Sequence, residues 1–419
     1  MFELIRANKR KSAWLIAVLG SILIGVGYAI GFLLAPEDPA VSALFVIIAV
    51  VIWIGMLLAS MAGGEKILLK TAKAREIQKA DAPQLYNIVE EMCIASGLST
   101  VPKVYIIDTP DPNAFAVGLK PERAAVAVTT GLMAKLNRDE LQNVVAHEIA
   151  HINNRDTLFM TLAGVTVGAI IILGELFWRS MLFGGRGRSS GGGRGGNQGA
   201  AVVMIVAVLM AILAPILARM LYFACSRRRE YLADACAAQY TRYPEGLASA
   251  LDKISGQAAQ RTKKAETSQV LAPMYIINPL AARSRKAGWF STHPATDDRI
   301  RVLRGMTSSA SLEAYEQAYR ALHGKESVMT PSMLKQSKDQ SVRDASKDAD
   351  AGTQRQWREV QDLLHKVDQY AVLACACGMK MKLPPEYDQE KVACPKCGRA
   401  HPLPPEMLAA LAAARMGRK

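Results

Sequence analysis

Aromatic residues are scarce in this chain of 419 residues, 6% against a hydrophobic content of 50%. The shortage removes the interleaving of aromatic and basic side chains by which single-stranded nucleic acid is stacked and held. The formal net charge of +14 is therefore not read as a nucleic-acid signal. A disulfide framework is also missing. Of the seven cysteines, Cys93, Cys225 and Cys236 stand apart in apolar or helical contexts, and the remaining four are clustered at metal-ligand spacing. That usage suits a reducing compartment. Nor are the apolar residues spread evenly, as a soluble core requires. They collect in a few long runs, and basic residues gather on the cytoplasmic side of membrane spans.

The first run, Trp14 to about Leu34, follows Arg6, Lys9, Arg10 and Lys11; the second covers about Val41 to Ala59. The basic start is like that of a signal peptide, but the run is too long and lacks a small-residue cleavage site. Each run is long enough to cross about 30 Å of hydrocarbon, which predicts an uncleaved hairpin over residues 1–64. Its loop, Pro36 to Pro39, holds two acids and no base, while Lys66, Lys70, Lys73 and Arg75 follow the second run. Both ends of the hairpin are thus expected in the cytoplasm. A third run spans about Leu158 to Phe177 and a fourth about Ala200 to Phe223, around an Arg/Gly/Ser-rich stretch at 184–199. Arg179, Arg186, Arg188 and Arg194 conflict there with the positive-inside rule, which leaves a shallow hairpin open; the run lengths favour two crossings. Either path returns Arg227, Arg228 and Arg229 to the cytoplasmic side.

The segments between are soluble in character. Periodicity predicts an amphipathic helix over Ala74–Cys93, strands at Lys103–Ile107 and Ala124–Thr129, and a long helix capped by Asn137 and running to Asn153. Further helices are expected at Arg227–Gln239, from Pro244 to about Ile254, after Asp297 and Asp298, and from about Ser311 to Leu322. Residues 325–355 are charged and polar and read as a flexible linker. A helix over Trp357–Ala371 then leads to the cysteine cluster, within a module at 356–405, and a basic tail helix covers 406–419.

The chemistry concentrates in His147-Glu148-Ile149-Ala150-His151. On a helix, positions i and i+4 share a face, so both imidazoles can reach one zinc, with Glu148 placed to take a proton from an attacking water. Five letters alone also fit a surface helix with two ordinary histidines. Topology adds weight. The motif ends just before the third run, and Glu230 lies just after the fourth. A membrane hairpin would bring Glu230 beside His151 across 79 positions, making it the third ligand, with Asp234 one turn on to orient a histidine. The zinc would then sit close to the cytoplasmic membrane surface.

Several ordered stretches carry a resemblance: Asn113-Ala-Phe-Ala116, Thr130-Gly-Leu-Met133, Asp139-Glu-Leu, HEIAHINNRD at 147–156, SRRREYLAD at 226–234 and HPATDDRI at 293–300. Over the N-terminal hairpin and on to about residue 305, the chain resembles the HtpX-like integral-membrane zinc endopeptidases, relatives of the prenyl-protein peptidases. The resemblance implies zinc on His147, His151 and Glu230, Glu148 as general base, and Asp234 as the acid that follows the third ligand. It places His293 near the reacting centre as a stabiliser of the oxyanion, although chemistry alone leaves a helix-start or packing role equally open. Arg299 would be supportive. Asn113, Ala114, Phe115 and Ala116 would offer an exposed strand edge to an extended substrate.

Cys375-Ala-Cys377-Gly378 and Cys394-Pro-Lys-Cys397-Gly398, separated by 16 residues, resemble a zinc ribbon. Four thiolates make a closed structural site, with His401 nearby but unnecessary. The expected architecture is thus an α-helical membrane protein. It carries an α+β zincin-like cytosolic protease domain of the HExxH gluzincin type over 65–324, interrupted at 158–223, and a small zinc ribbon. Two zinc ions are expected, one catalytic and one structural. The implied setting is the bacterial inner membrane, multi-pass, with N-terminus, protease site and C-terminus cytoplasmic. Membrane lipids and membrane-protein or unfolded polypeptide substrates would be its partners in quality control under stress. Nucleic acid is not expected as a partner, and homo-oligomers or quality-control partners stay open. One alternative is a zinc-stabilised scaffold or regulator that binds proteins or nucleic acid through the ribbon. Processing of lipid-modified peptides is a narrower one, and it normally needs a larger multi-span enclosure.

Overall fold

In a computed structural model of the chain, the described residues are 2–35, 37–162, 227–260, 271, 274–277, 294–307, 309–335, 337, 339–346, 359–365 and 368–416. The third and fourth apolar runs, the 184–199 stretch, Cys225 and His293 lie outside them.

Two helices of 33 residues each, α1 (Phe2–Leu34) and α2 (Pro39–Thr71), form an antiparallel hairpin. Their close approach needs glycine. A Cβ on Gly31 would stand 2.4 Å from Ser42 Cα, and one on Gly27 would stand 2.7 Å from the Phe45 carbonyl oxygen. Among the described residues, α2 is one helix long and apolar enough to cross a membrane. Its Leu44, Ile47, Val51 and Leu58 are each more than half exposed, an apolar surface that a soluble helix would bury. The helix kinks at Gly63. There Arg123 donates to the Ala62 carbonyl at 2.7 Å and to Glu65 at 2.6 Å, occupying a carbonyl beside the bend.

Beyond the kink, Leu68 and Leu69 of α2 are buried under a four-stranded sheet of β1 (Arg75–Glu76), β2 (Lys103–Ile107), β3 (Ala114–Val117) and β4 (Ala125–Thr129). The spatial order is β1-β2-β4-β3, with β2 and β4 parallel and the outer pairs antiparallel. Phe115, Val117, Ala125 and Ala127 face the end of α2. Val104, Ile106, Ala114, Ala116, Val126 and Val128 face the main core. Every residue of β4 is buried, the expected state of a strand covered on both faces.

The main core is built by α3 (Pro83–Ser96), α5 (Arg138–Asn153), α6 (Arg227–Thr241), α7 (Pro244–Gln260) and α8 (Thr296–Arg304), with the short α4 (Thr130–Lys135) after the sheet. The helix predicted over Ala74–Cys93 is corrected here. Its first part is strand β1 and a turn, and the helix begins at Pro83, the residue pre-set for a first helical turn. Ile77 is still fully buried, from the extended segment, so its apolar signal was assigned to the wrong element. At the head of α5 a full capping box forms between Asn137 and Glu140.

The part of the expected flexible linker that is described does not behave as one. After α9 (Leu312–His323) and α10 (Pro331–Leu334), residues 339–346 lie across the start of α5. Arg343 donates to Asp139 and to Gln142, each at 3.0 Å, and to the Thr241 carbonyl at 2.9 Å. The backbone N–H of Ser346 and its hydroxyl reach Asp139 at 2.7 and 2.6 Å. Composition hid this because the residues anchor through specific polar contacts instead of apolar burial.

The C-terminal module pairs two hairpins, β5 (Ala371–Ala374) with β6 (Lys380–Leu383) and β7 (Lys391–Ala393) with β8 (Ala400–Pro402). Of the helix expected over Trp357–Ala371, residues 359–365 are helical among those described, residues 368–370 are not, and Ala371 already belongs to β5. Leu363 is buried in the main core. The tail helix α11 (Pro405–Met416) packs Leu411 against Leu383 and Leu403.

Candidate metal centre

Helices α5 and α6 create the site by packing side by side. His147 and His151 lie one turn apart on α5, and their rings meet edge to face with centroids 4.7 Å apart. Glu230 enters from the first turn of α6. Nε2 of His147 is 3.2 Å from Nε2 of His151 and 3.7 Å from Glu230, and Nε2 of His151 is 3.6 Å from Glu230. A tetrahedral zinc with bonds of about 2.0–2.2 Å sets its ligand atoms roughly 3.3–3.6 Å apart. The spacing fits. Two imidazole nitrogens and a carboxylate converging in a buried pocket are the donor set of a cation site, and the group sits within 4.8 Å overall.

Each histidine is held from behind by an acid and an arginine. Nδ1 of His147 is 3.0 Å from Asp234, which Arg299 grips through two hydrogen bonds of 2.8 and 2.6 Å. Arg299 is almost wholly buried and also lies 3.6 Å from Glu230. Nδ1 of His151 is 3.1 Å from Asp156, with Arg229 Nε 3.6 Å from the other oxygen of that acid. Arg229 in turn lies over the Phe159 ring at 4.7 Å. A carboxylate about 3 Å behind each Nδ1 favours the tautomer that leaves Nε2 free to bind a metal. The sequence reading included Asp234 and missed Asp156 and Arg229. Asp156 closes the quoted HEIAHINNRD stretch, five positions after His151, and no periodicity singles it out.

Electrostatics follow from this burial. Burial alone would lower the His147 pKa, but Asp234 and Glu230 outweigh it and raise it to about 9 in the absence of metal. Burial would raise Asp234, yet Arg299 and His147 hold it below the usual carboxylate range. Glu148 is buried and its pKa is raised, chiefly by burial, with the Glu230 charge adding to the effect; both histidines and the Ala116 backbone N–H act against it. A carboxylate with raised proton affinity beside a metal group is suited to accept and return a proton.

Asn113–Ala116 are buried, not the exposed edge expected. β3 is an edge strand of the sheet, but its outer side is partly taken. Ile276 N–H donates to the Ala114 carbonyl at 3.1 Å, and Asn113 Nδ2 donates to the Ile277 carbonyl at 2.9 Å. Phe115 packs edge-on against Tyr275, 5.4 Å between centroids, on the α2 side of the sheet.

In the C-terminal module the four cysteines come together. Sγ of Cys375 is 3.5 Å from that of Cys397, and Sγ of Cys377 is 3.7 Å from that of Cys394. Zinc–thiolate bonds of about 2.3 Å give tetrahedral edges of roughly 3.8 Å, so this group also fits. Gly378 and Gly398 take positive φ at the two turns, 86° and 71°. The backbone N–H of Cys397 lowers the Cys394 thiol pKa, while the neighbouring thiols outweigh the Met379 backbone N–H and raise that of Cys377, as expected where four thiols share one site. His401 Nε2 is 3.1 Å from Cys375 Sγ.

An HExxH helix packed beside a helix that supplies a glutamate, over a mixed sheet, defines a zinc metallopeptidase. The chain belongs to peptidase family M48, whose family model matches residues 79–307. Among curated proteins it is 44% identical to a protease HtpX homolog of Dictyoglomus thermophilum over 305 residues, 73% of this chain and 94% of that one. A protease HtpX homolog of Listeria monocytogenes serotype 4a is 41% identical over 312 residues, 73% of this chain and all of its own length. Among solved structures, S. mikatae Ste24p aligns with a TM-score of 0.37 at 18% identity, covering 72% of this chain and 66% of that one.

Proposed function

We propose that this chain is a multi-pass membrane endopeptidase that hydrolyses peptide bonds in misfolded or damaged membrane proteins, and in their cytoplasmic segments, as a step of quality control. The observation that carries this is Glu148, buried beside His147, His151 and Glu230 and steadied by the Ala116 N–H. His147, His151 and Glu230 hold the zinc, which when bound supplies Lewis acidity to a water and to the scissile carbonyl. Glu148 takes the proton of the attacking water and passes it to the leaving amine. Asp234 and Asp156 hold the two imidazoles in the ligating tautomer. The resemblance over HPATDDRI supports His293 as the residue that stabilises the oxyanion.

The lipid-facing surface of α2 supports substrates drawn from the bilayer. Acidic residues in the α1–α2 loop and the bases after α2 support a cytoplasmic site with both termini on the same side. A second, structural zinc is held by Cys375, Cys377, Cys394 and Cys397.

The test is cleavage of an unfolded model protein by the detergent-purified chain, before and after chelation. Activity lost to a chelator and restored by zinc in the parent, but not in Glu230→Ala, is the expected result. Undiminished cleavage by Glu230→Ala would remove that residue from the metal set.

A further inference from the structure

A cavity of about 340 Å3 lies between the first turn of α6, the start of α8, α9 and the turn that follows it. The wall has two origins. Arg227, Arg228 and Asp298 come from α6 and α8, inside the stretch matched by the family. Tyr319, His323 and Glu326 come from α9 and the turn after it, beyond residue 307 where that match ends. The later segment is fastened to the earlier one, since Arg228 Nε donates to the Val328 carbonyl at 2.5 Å. Glu316 receives the backbone N–H groups of Val328 and Met329 at 3.1 and 3.2 Å. One wall of the cavity is thus supplied by the part of the chain that follows the peptidase match.

Its charges have both signs. Arg227 and Arg228 stand at the N-terminal end of α6, and Asp298 and Glu326 line the same space. These groups also have protein contacts, among them Asp298 with Arg301 at 2.8 Å, Glu326 with the Tyr319 hydroxyl at 3.4 Å and Arg228 with the Val328 carbonyl. His323 stacks on Tyr319 with centroids 4.3 Å apart. Its Nε2 is shielded from solvent and has no hydrogen-bond partner among the described residues. A simple anion in this cavity would face two carboxylates, and a simple cation would face two guanidinium groups. A zwitterion with an anionic and an ammonium end suits both.

Location narrows the class. Arg227 stands four positions after Phe223, where the fourth apolar run ends. On the membrane reading proposed above, on which this inference rests, the first turn of α6 is at the bilayer surface. Guanidinium groups bind phosphate oxygens through paired N–H donors. A primary ammonium offers three N–H donors to carboxylates, which choline lacks.

We propose that this cavity binds the phosphoethanolamine headgroup of a membrane phospholipid, with Arg227 and Arg228 on the phosphate and Asp298 and Glu326 on the ammonium. It lies on the face of α6 next to the one that carries Glu230, so a bound lipid would tie the C-terminal extension and the zinc helix to the same point of the bilayer.

The test uses the full chain in phosphatidylcholine nanodiscs doped with either phosphatidylethanolamine or phosphatidylglycerol, with retained lipid counted by native mass spectrometry. The parent should retain one phosphatidylethanolamine saturably and in preference to phosphatidylglycerol. Soluble O-phosphoethanolamine should compete for it and inorganic phosphate should not; competition by phosphate as effective as that by the headgroup would overturn the zwitterion assignment. Arg227→Gln/Glu326→Gln should lose this retention at least tenfold while keeping its zinc content. Equal retention of all three lipids, or equal retention by parent and variant, would overturn the proposal. So would selective capture of a peptide by these residues with no lipid preference. If the double variant loses zinc, the headgroup preference of the parent decides alone. Peptide cleavage is read on the same nanodiscs. Loss of lipid preference with cleavage intact defeats this inference only, whereas absent cleavage defeats the peptidase reading itself.

Discussion

The two histidines of the candidate metal site have matching supports of unequal strength. Asp234 is wholly buried and held by two short bonds from Arg299, while Asp156 has Arg229 at 3.6 Å. Loss of a carboxylate behind a ligating histidine costs about 10–100-fold in metal affinity. Asp156→Ala should fall in that range and Asp234→Ala at its upper end, as read by competition with a chromophoric chelator. Unchanged affinity in Asp156→Ala would show that His151 needs no support from that side. The convergence of His147, His151 and Glu230 was legible in the sequence, because HExxH places two donors by helical period and the apolar runs on either side suggested the return of Glu230. Asp156 was not legible. Its role depends on the turn at Asn154–Arg155, where Arg155 takes a positive φ of 61° and swings Asp156 back toward the helix it follows.

At the scale of elements, the strap at 339–346 governs the head of the catalytic helix. Asp139 is almost fully buried, and its charge is met by Arg343 and Ser346. Arg343→Ala leaves that carboxylate short of donors and should destabilise the protease domain by about 1–3 kcal/mol, seen as a lower thermal midpoint. No change in the midpoint would mean that the strap only rests on α5. Burial acts to raise the Asp139 pKa, but the Ser346 and Arg343 bonds prevail and lower it from the ordinary 3.8. A carboxyl depressed in the folded state contributes fully above its unfolded value and loses that contribution as pH falls through the folded one. The difference in stability between parent and Asp139→Asn should therefore be full at neutral pH and shrink below about pH 4. A difference that grows with acid would contradict the assignment. The strap could not be read from composition, which sees polarity and no apolar period. β2, β4 and the Asn137 cap were readable because each has a local signature: a β-branched run, turn residues, a side chain that bonds its own helix. The start of α3 was misplaced for a related reason, since the apolar Ile77 fits a helical period equally well from the adjoining strand.

The whole molecule joins a helical hairpin to a peptidase domain through shared packing, with a cysteine module following them. Leu363 ahead of the module is buried in the peptidase core, and α2 runs on from its apolar stretch to cover one face of the sheet. Two separate donor groups follow from this arrangement. The parent should carry two zinc equivalents by elemental analysis, Cys394→Ser one with cleavage retained, and His147→Ala one with cleavage lost. A single equivalent in the parent would remove one of the two sites. The hairpin and the cysteine module were foreseeable because apolar run length and cysteine spacing are one-dimensional signals. The burial of Leu363 in the peptidase core is a property of tertiary packing that no such signal carries. The central claim is that hydrolysis depends on the Glu148 carboxylate beside a zinc held by His147, His151 and Glu230. It is tested most directly by measuring zinc content and cleavage of an unfolded protein for the parent and Glu148→Gln, purified side by side. The account predicts equal zinc in both, with cleavage by Glu148→Gln reduced at least 100-fold, the loss of a general base. Equal zinc with undiminished cleavage by Glu148→Gln would contradict it.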